Sequence, residues 1–212
     1  CHGAPGIVCA AASYLDEDGR KYRRPIVCRT WHDPIEVFDG HLYQKGACVL
    51  HMLHEELGED VFWHCIRTYL ERHGRGSVLT DDLRRAIEDV TGRNLEWFFD
   101  QWVFHGGHPD LDVSWTQEKG TVLLKLRQTQ KTDDMTPVFR FGVEVRIETD
   151  KGSVTRRLDV RDAVHNVVID VPGKVKWIAF DPGAHLLFSG KVGQSDEQWA
   201  NCLAGDADAA TR

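Results

Sequence analysis

The chemistry open to this chain rests on a few side chains. HExxH, in which two histidines one helical turn apart hold zinc and the glutamate between them serves as base, is absent from the 212 residues. The nearest string, His54-Glu55-Glu56-Leu57-Gly58, has no second histidine, and the pair His51 and His54 has no obvious third ligand. His105-Gly106-Gly107-His108 could pinch a metal, but its glycines suit a hinge between elements better. The segment that stands out is Phe38-Asp39-Gly40-His41-Leu42-Tyr43-Gln44-Lys45-Gly46-Ala47. It places Tyr43 at the first turn of a helix, where a phenol can project into a cleft, and follows it with a glycine that permits close backbone approach. On residue type alone, a packed aromatic with a hydrogen-bonded hydroxyl is the competing reading of Tyr43. Gln44 and Lys45 are read as structural support, and His41 lies close enough in sequence to edge the same cleft.

The elements that must position these residues are readable from periodicity. Residues 1 to 41 are punctuated by Gly3, Pro5, Gly6, Gly19, Pro25 and Pro34 and read as an extended connector with one short helix near Val8 to Tyr14. Its basic cluster, Arg20, Lys21, Arg23 and Arg24, reads as a solvated face. From Leu42 the pattern becomes helical: Val49, Leu50, Leu53 and Leu57 share one face and Gly58 ends it. Val61, Phe62, Cys65, Ile66, Tyr69 and Leu70 form the stripe of a second helix. Thr80 is expected to cap a third, which Gly92 ends, and Asn94 a fourth carrying Leu95, Phe98, Phe99 and Trp102.

After Gly107 the period changes to two. Seven candidate strands, 111–117, 122–130, 139–149, 153–160, 166–171, 176–180 and 186–191, are separated by turn pairs such as Lys119-Gly120, Lys151-Gly152 and Pro172-Gly173. They predict an antiparallel β-sandwich. From Ser195 a helical pattern returns, with Ser195 and Gln198 at capping-box spacing and little left for the helix to pack against. The expected organisation is therefore α+β: a helical part over 1–108, a sandwich over 109–193 and the truncated start of a further helical domain over 194–212.

Composition narrows the function classes. A net charge of −7 with interspersed signs lacks the basic stripe that neutralises nucleic-acid phosphates, so no nucleic-acid partner is expected. No apolar run approaches the roughly 20 residues that span a bilayer. Six cysteines without a CxxC pair read as free thiols of a reducing compartment, which slightly favours the cytoplasm.

Tyr43-Gln44-Lys45-Gly46-Ala47 resembles the Y-x-K-G-A segment of the gluzincin, aminopeptidase N-type family of zinc aminopeptidases. Arg24-Pro25-Ile26-Val27, Leu57-Gly58-Glu59-Asp60-x-Phe62, Thr80-Asp81-Asp82-Leu83, Gly92-Arg93-x-Leu95, Phe98-Phe99-Asp100-Gln101-Trp102 and Gly107-His108-Pro109 follow in the same order as in that family's bacterial branch. The resemblance is strong over residues 20 to 115 and looser through the sandwich. It implies that the chain is an internal segment joining the end of a thermolysin-like catalytic domain to a β-domain, with the zinc ligands and the motif for the substrate amino terminus upstream. It implies peptide substrates, zinc in the intact enzyme, none held by this segment, and Tyr43 as the one catalytic residue carried over, donating to the oxyanion. Two other readings stay open. One is a peptidase-derived scaffold without catalysis, and the other is a sandwich acting as a binding module through a concave aromatic patch, although Trp115 and Trp177 read equally as core residues.

Overall fold

The structure, a computed structural model, describes residues 4–210. It comprises two compact units, Cys1–Gly107 and His108–Arg212.

In the first unit the helices are α1 (Ala4–Arg20), α2 (Gln44–Leu57), α3 (Glu59–His73), α4 (Thr80–Thr91) and the single turn α5 (Glu96–Phe99), which runs into a π-helical turn at Asp100–Phe104. A short 3-10 turn, Pro34–Val37, precedes α2. The 17-residue α1 corrects the expectation of an irregular connector with a short helix. Pro5 falls in the first turn, where its missing N–H has no intrahelical acceptor to lose, and Gly19 falls in the last turn. The alanine run between them supplies helix propensity, and Tyr14 anchors the helix in the core at 0% exposure. Of the basic cluster, Arg20, Lys21 and Arg23 are exposed as expected, but Arg24 is buried.

Helix ends follow local chemistry. Gly58 (φ 83°) separates α2 from α3, and Gly92 (φ 66°) closes α4 in the left-handed conformation. Thr80 is the first helical residue of α4 rather than its cap: the Asp82 carboxylate accepts from the Leu79 N–H at 2.8 Å, a reciprocal cap built from the third position. Asn94 accepts from the Glu96 N–H at 3.1 Å. Beyond it Leu95, Phe98, Phe99 and Trp102 are all buried, the stripe the sequence predicts, although the backbone widens from α- to π-helical between Phe99 and Asp100.

In the second unit the strands are β1 (Asp110–Glu118), β2 (Thr121–Gln128), β3 (Phe141–Thr149), β4 (Gly152–Val160), β5 (Val164–Asp170), β6 (Val175–Phe180) and β7 (Ser189–Val192). They form a four-stranded sheet, β5-β2-β1-β7, and a three-stranded sheet, β4-β3-β6. Alternation is strict on the inner faces: Val122, Leu124 and Leu126 of β2 and Val143, Val145 and Ile147 of β3 are buried while their neighbours are not. All pairings are antiparallel except β1 with β7, which runs parallel from Asp110↔Ser189 to Val113↔Val192.

That parallel pair corrects the all-antiparallel expectation and shortens the last candidate strand. The Asp181 carboxylate accepts from the N–H groups of His185 and Leu186 at 3.1 and 2.9 Å, folding the chain into a turn where a strand was expected to begin. Helix α6 (Asp196–Ala210) then lies on β6, with Cys202 buried against Trp177 and Ala179. The final helix thus has a surface within this unit, contrary to the reading that it had little to pack against. Trp177 is 5% exposed, with the Arg146 guanidinium over its ring, so it belongs to the core and not to a binding face.

Candidate active-site segment

The Y-x-K-G-A segment straddles the start of α2. Tyr43 precedes its first residue, with its N–H donating to the Asp39 carbonyl at 3.1 Å and its carbonyl accepting from the Ala47 N–H at 2.9 Å. Its backbone is therefore fixed from both sides, while the side chain is turned outward: Tyr43 is 56% exposed, its ring 6.1 Å from that of Phe38. The alternative of a buried, packed aromatic does not describe this tyrosine.

The other residues of the segment go inward. Lys45 is fully buried, its ammonium donating to the His105 carbonyl at 3.0 Å and lying 5.9 Å from the centre of the Tyr14 ring. Burial pulls its pKa down to about 7, against the opposing pull of Asp18. It therefore ties the start of α2 to the end of the π-helical turn, 60 residues away. Gly46 is not a point of close backbone approach. A side chain there would meet nothing within 4 Å, and the residue borders an apolar cavity of about 180 Å³ lined also by Ile26, Val49, Leu53, Phe98 and Val103.

His41 does not edge a cleft. It is fully buried, stacked on Tyr22 at 5.1 Å and edge-on to Tyr14 at 5.4 Å, with its two ring nitrogens 3.4 Å from Asp39 and 3.6 Å from Asp18. Each carboxylate has its own arginine. Arg23 is forked onto Asp18 through Nε and Nη2 at 3.0 and 2.5 Å, and Tyr14 donates to the same group at 3.3 Å. Burial raises the Tyr14 phenol, and the Asp18 charge adds to the rise. Arg24 is forked onto Asp39 at 2.9 and 2.5 Å, and the Tyr22 hydroxyl donates to Asp39 at 2.6 Å. Burial alone would raise the Asp39 carboxyl, but Arg24, Tyr22 and the Leu42 N–H hold it at about 2. The bond to Asp39 in turn pushes Tyr22 up to about 12.

Of the histidines considered as metal ligands, His54, His105 and His108 have local partners. Both His54 nitrogens meet glutamates, Nδ1 with Glu55 at 3.0 Å and Nε2 with Glu59 at 2.7 Å. His105 Nδ1 lies 2.9 Å from the Asp100 carbonyl, and His108 Nε2 lies 3.1 Å from the Ser189 hydroxyl. His54 in this arrangement is a surface residue bridging α2 and α3. The His51 ring stacks on that of His54, with centroids 6.4 Å apart. Among the described residues, Cys9, Cys28, Cys48, Cys65 and Cys202 form no disulfide.

A helical unit followed by a two-sheet β-unit has counterparts among known proteins. Residues 6–102 match the Peptidase family M1 domain, which makes that part of the chain a segment of that family's domain. It is 32% identical over 178 residues to Aminopeptidase 2, mitochondrial, of Saccharomyces cerevisiae, a match covering 82% of this chain and 18% of the yeast protein. Aminopeptidase 2 of Candida albicans is 31% identical over 129 residues, covering 56% of this chain and 14% of its own length. The crystal structure of Legionella pneumophila aminopeptidase A in complex with aspartic acid superposes with a TM-score of 0.69 over 82% of this chain and 20% of that one. At 14% identity the last match speaks for the fold alone. The chain spans less than a fifth of the length of these curated relatives. Among the described residues no helix is long and apolar enough to cross a membrane.

Sequence reasoning found the tyrosine by resemblance and missed the charged cluster beneath it. The signal was present in the basic residues 23 and 24 and the acidic residues 18 and 39, but nothing in their spacing pairs them.

Proposed function

We propose that the chain is part of an aminopeptidase that removes N-terminal residues from peptides, and that Tyr43 is its oxyanion donor. The observation that supports this reading is the contrast within one motif: Lys45 and His41 are fully buried, while Tyr43 is 56% exposed on a backbone held from both sides. An outward phenol on a fixed helix start is suited to donate to the carbonyl oxygen of a bound peptide as negative charge builds on it. In the intact protein, a zinc ion held by ligands upstream of this chain would supply the activated water. The chain by itself is then expected to hydrolyse no aminoacyl substrate.

The test is Tyr43→Phe in the full-length protein, which removes one exposed hydroxyl and leaves the ring against Phe38. We expect kcat to fall about 10²–10³-fold, with KM, zinc content and melting temperature little changed, because the donor matters only once the oxygen carries charge. A variant that keeps more than about a third of wild-type kcat, far inside the effect of a lost donor, would remove Tyr43 from the reaction. A non-catalytic scaffold predicts no measurable turnover in the wild-type protein at all.

A further inference from the structure

We propose that Asp39 is the positioning residue for Tyr43, acting with Arg24 as a buried clamp on the turn that leads into α2. The inference rests on reading Tyr43 as the oxyanion donor. The turn from 40 to 43 has four backbone N–H groups and no preceding helical turn to receive them. Asp39 answers three. Its carboxylate oxygen Oδ1 accepts from the N–H groups of His41 and Leu42, both at 3.0 Å, and its carbonyl accepts from Tyr43 at 3.1 Å. The fourth, from Gly40, goes to Glu17 of α1 at 2.8 Å.

A carboxylate that organises a turn can hold a side chain in place only if the carboxylate is itself fixed. Asp39 is. The Arg24 fork engages both of its oxygens, and the same guanidinium donates to the carbonyls of Pro25, Ile26 and Val37 at 2.7, 3.1 and 2.9 Å. One arginine therefore fastens the segment leading out of α1, the end of the 3-10 turn and the Asp39 carboxylate together. Tyr22 completes the shell on Oδ2. The side chains of Arg24 and Asp39 are 10% and 9% exposed, so the pair works in a medium where its geometry is enforced strongly. The phenol that must meet a developing charge is thus carried on a backbone whose donors converge on one buried anion. Misplacement of a donor by about an ångström is enough to cost on the order of 10²-fold in rate.

Asp39→Asn in the full-length, zinc-loaded protein keeps the shape but removes the charge and turns one acceptor into a donor facing Arg24 or Tyr22. We expect kcat on an aminoacyl anilide to fall by at least about tenfold, with KM within about threefold and zinc retained, the pattern of an interaction lost only in the transition state. The decisive measurement is the cycle with Tyr43→Phe. If Asp39 acts through the phenol, adding Asp39→Asn to Tyr43→Phe lowers kcat by less than about twofold more, because coupled residues are non-additive. Should Asp39→Asn fold poorly, Tyr22→Phe removes a single bond to Oδ2 from a partly exposed position. It is expected to give a smaller kcat loss that likewise vanishes in the Tyr43→Phe background. If Tyr43→Phe is severely impaired but the effects multiply, Asp39 is only structural and the proposal fails while the oxyanion reading stands. If Tyr43→Phe is fully active, the oxyanion reading fails and this proposal with it.

Discussion

The two units bury polar groups in different ways. In the first, Asp18, Arg24, His41 and Lys45 are all buried, and they gather beneath the turn that carries Tyr43. In the second, the buried polar residues are mostly neutral and serve the backbone: Gln128 bonds the N–H and carbonyl of Phe139 at 2.9 and 2.7 Å, and Thr149 donates to the Gly152 carbonyl at 2.6 Å. Buried charge is expensive and adds little net stability over an apolar replacement. Its concentration in one place marks a segment where geometry matters more than stability, whereas the β-unit relies on alternation and turn chemistry throughout.

Predictions can break or sharpen this contrast. The largest effect on stability should come from the apolar core that both units still need. Trp102→Ala, at a residue 1% exposed, should cost about 3–5 kcal/mol in denaturant titration followed by a first-unit probe. A loss under about 1 kcal/mol, well below that range, would mean that the charged cluster rather than the aromatic stripe holds the helices, and the contrast would have to be redrawn.

Next in size is Gln128→Ala. It strands both backbone groups of Phe139 in the β-unit and should cost about 1–3 kcal/mol. A neutral outcome would show that these backbone groups find water and that the β-unit does not depend on its buried amides.

The smallest effect is a slope with pH. Burial lowers the Lys45 ammonium from 10.5 to about 7, so between those values the unfolded chain holds a proton that the folded chain has released. Stability must therefore rise with pH in that window. Between pH 7 and 9 the wild type should gain on the order of 1–2 kcal/mol that Lys45→Met does not. Keeping to that range avoids Cys48, whose thiol burial pushes up to about 11 and which subtracts stability at higher pH. Parallel slopes for the two proteins would mean that Lys45 stays charged in the fold.

Legibility from sequence divides along the same line. The β-unit was nearly all readable, because period-two alternation and pairs such as Lys119-Gly120 and Lys151-Gly152 encode strands and hairpins locally; Lys119 and Gly120 do adopt positive φ. Its unreadable part was the parallel pairing of β7, whose partner lies far back in the chain. Helix α1 was hidden by Pro5, Gly6 and Gly19, which break a helix in its middle but not at its ends. At the site, Tyr43 was visible through its motif. The Arg24–Asp39 clamp was not, since a 15-residue separation with no period leaves no local trace of the pairing. His41, polar and two residues before Tyr43, reads as the edge of a cleft. Only the packing of Tyr14 and Tyr22 around it shows otherwise.

The parallel pairing of β7 with β1 also constrains the order in which the β-unit can form. The hairpins β1–β2 and β3–β4 close over a few residues, but Asp110 and Ser189 are 79 apart in sequence, and Gly190 must pass with its α-carbon so near Leu111 that any side chain would strike the backbone. Each doubling of a closed loop adds only about 0.6 kcal/mol of entropy cost, yet such distant contacts reward the chain late and slow its assembly. During synthesis from the N-terminus, β1 must therefore wait with one edge open until nearly the whole β-unit has left the ribosome. That edge is the natural place for a chaperone to bind, or for two nascent chains to pair wrongly.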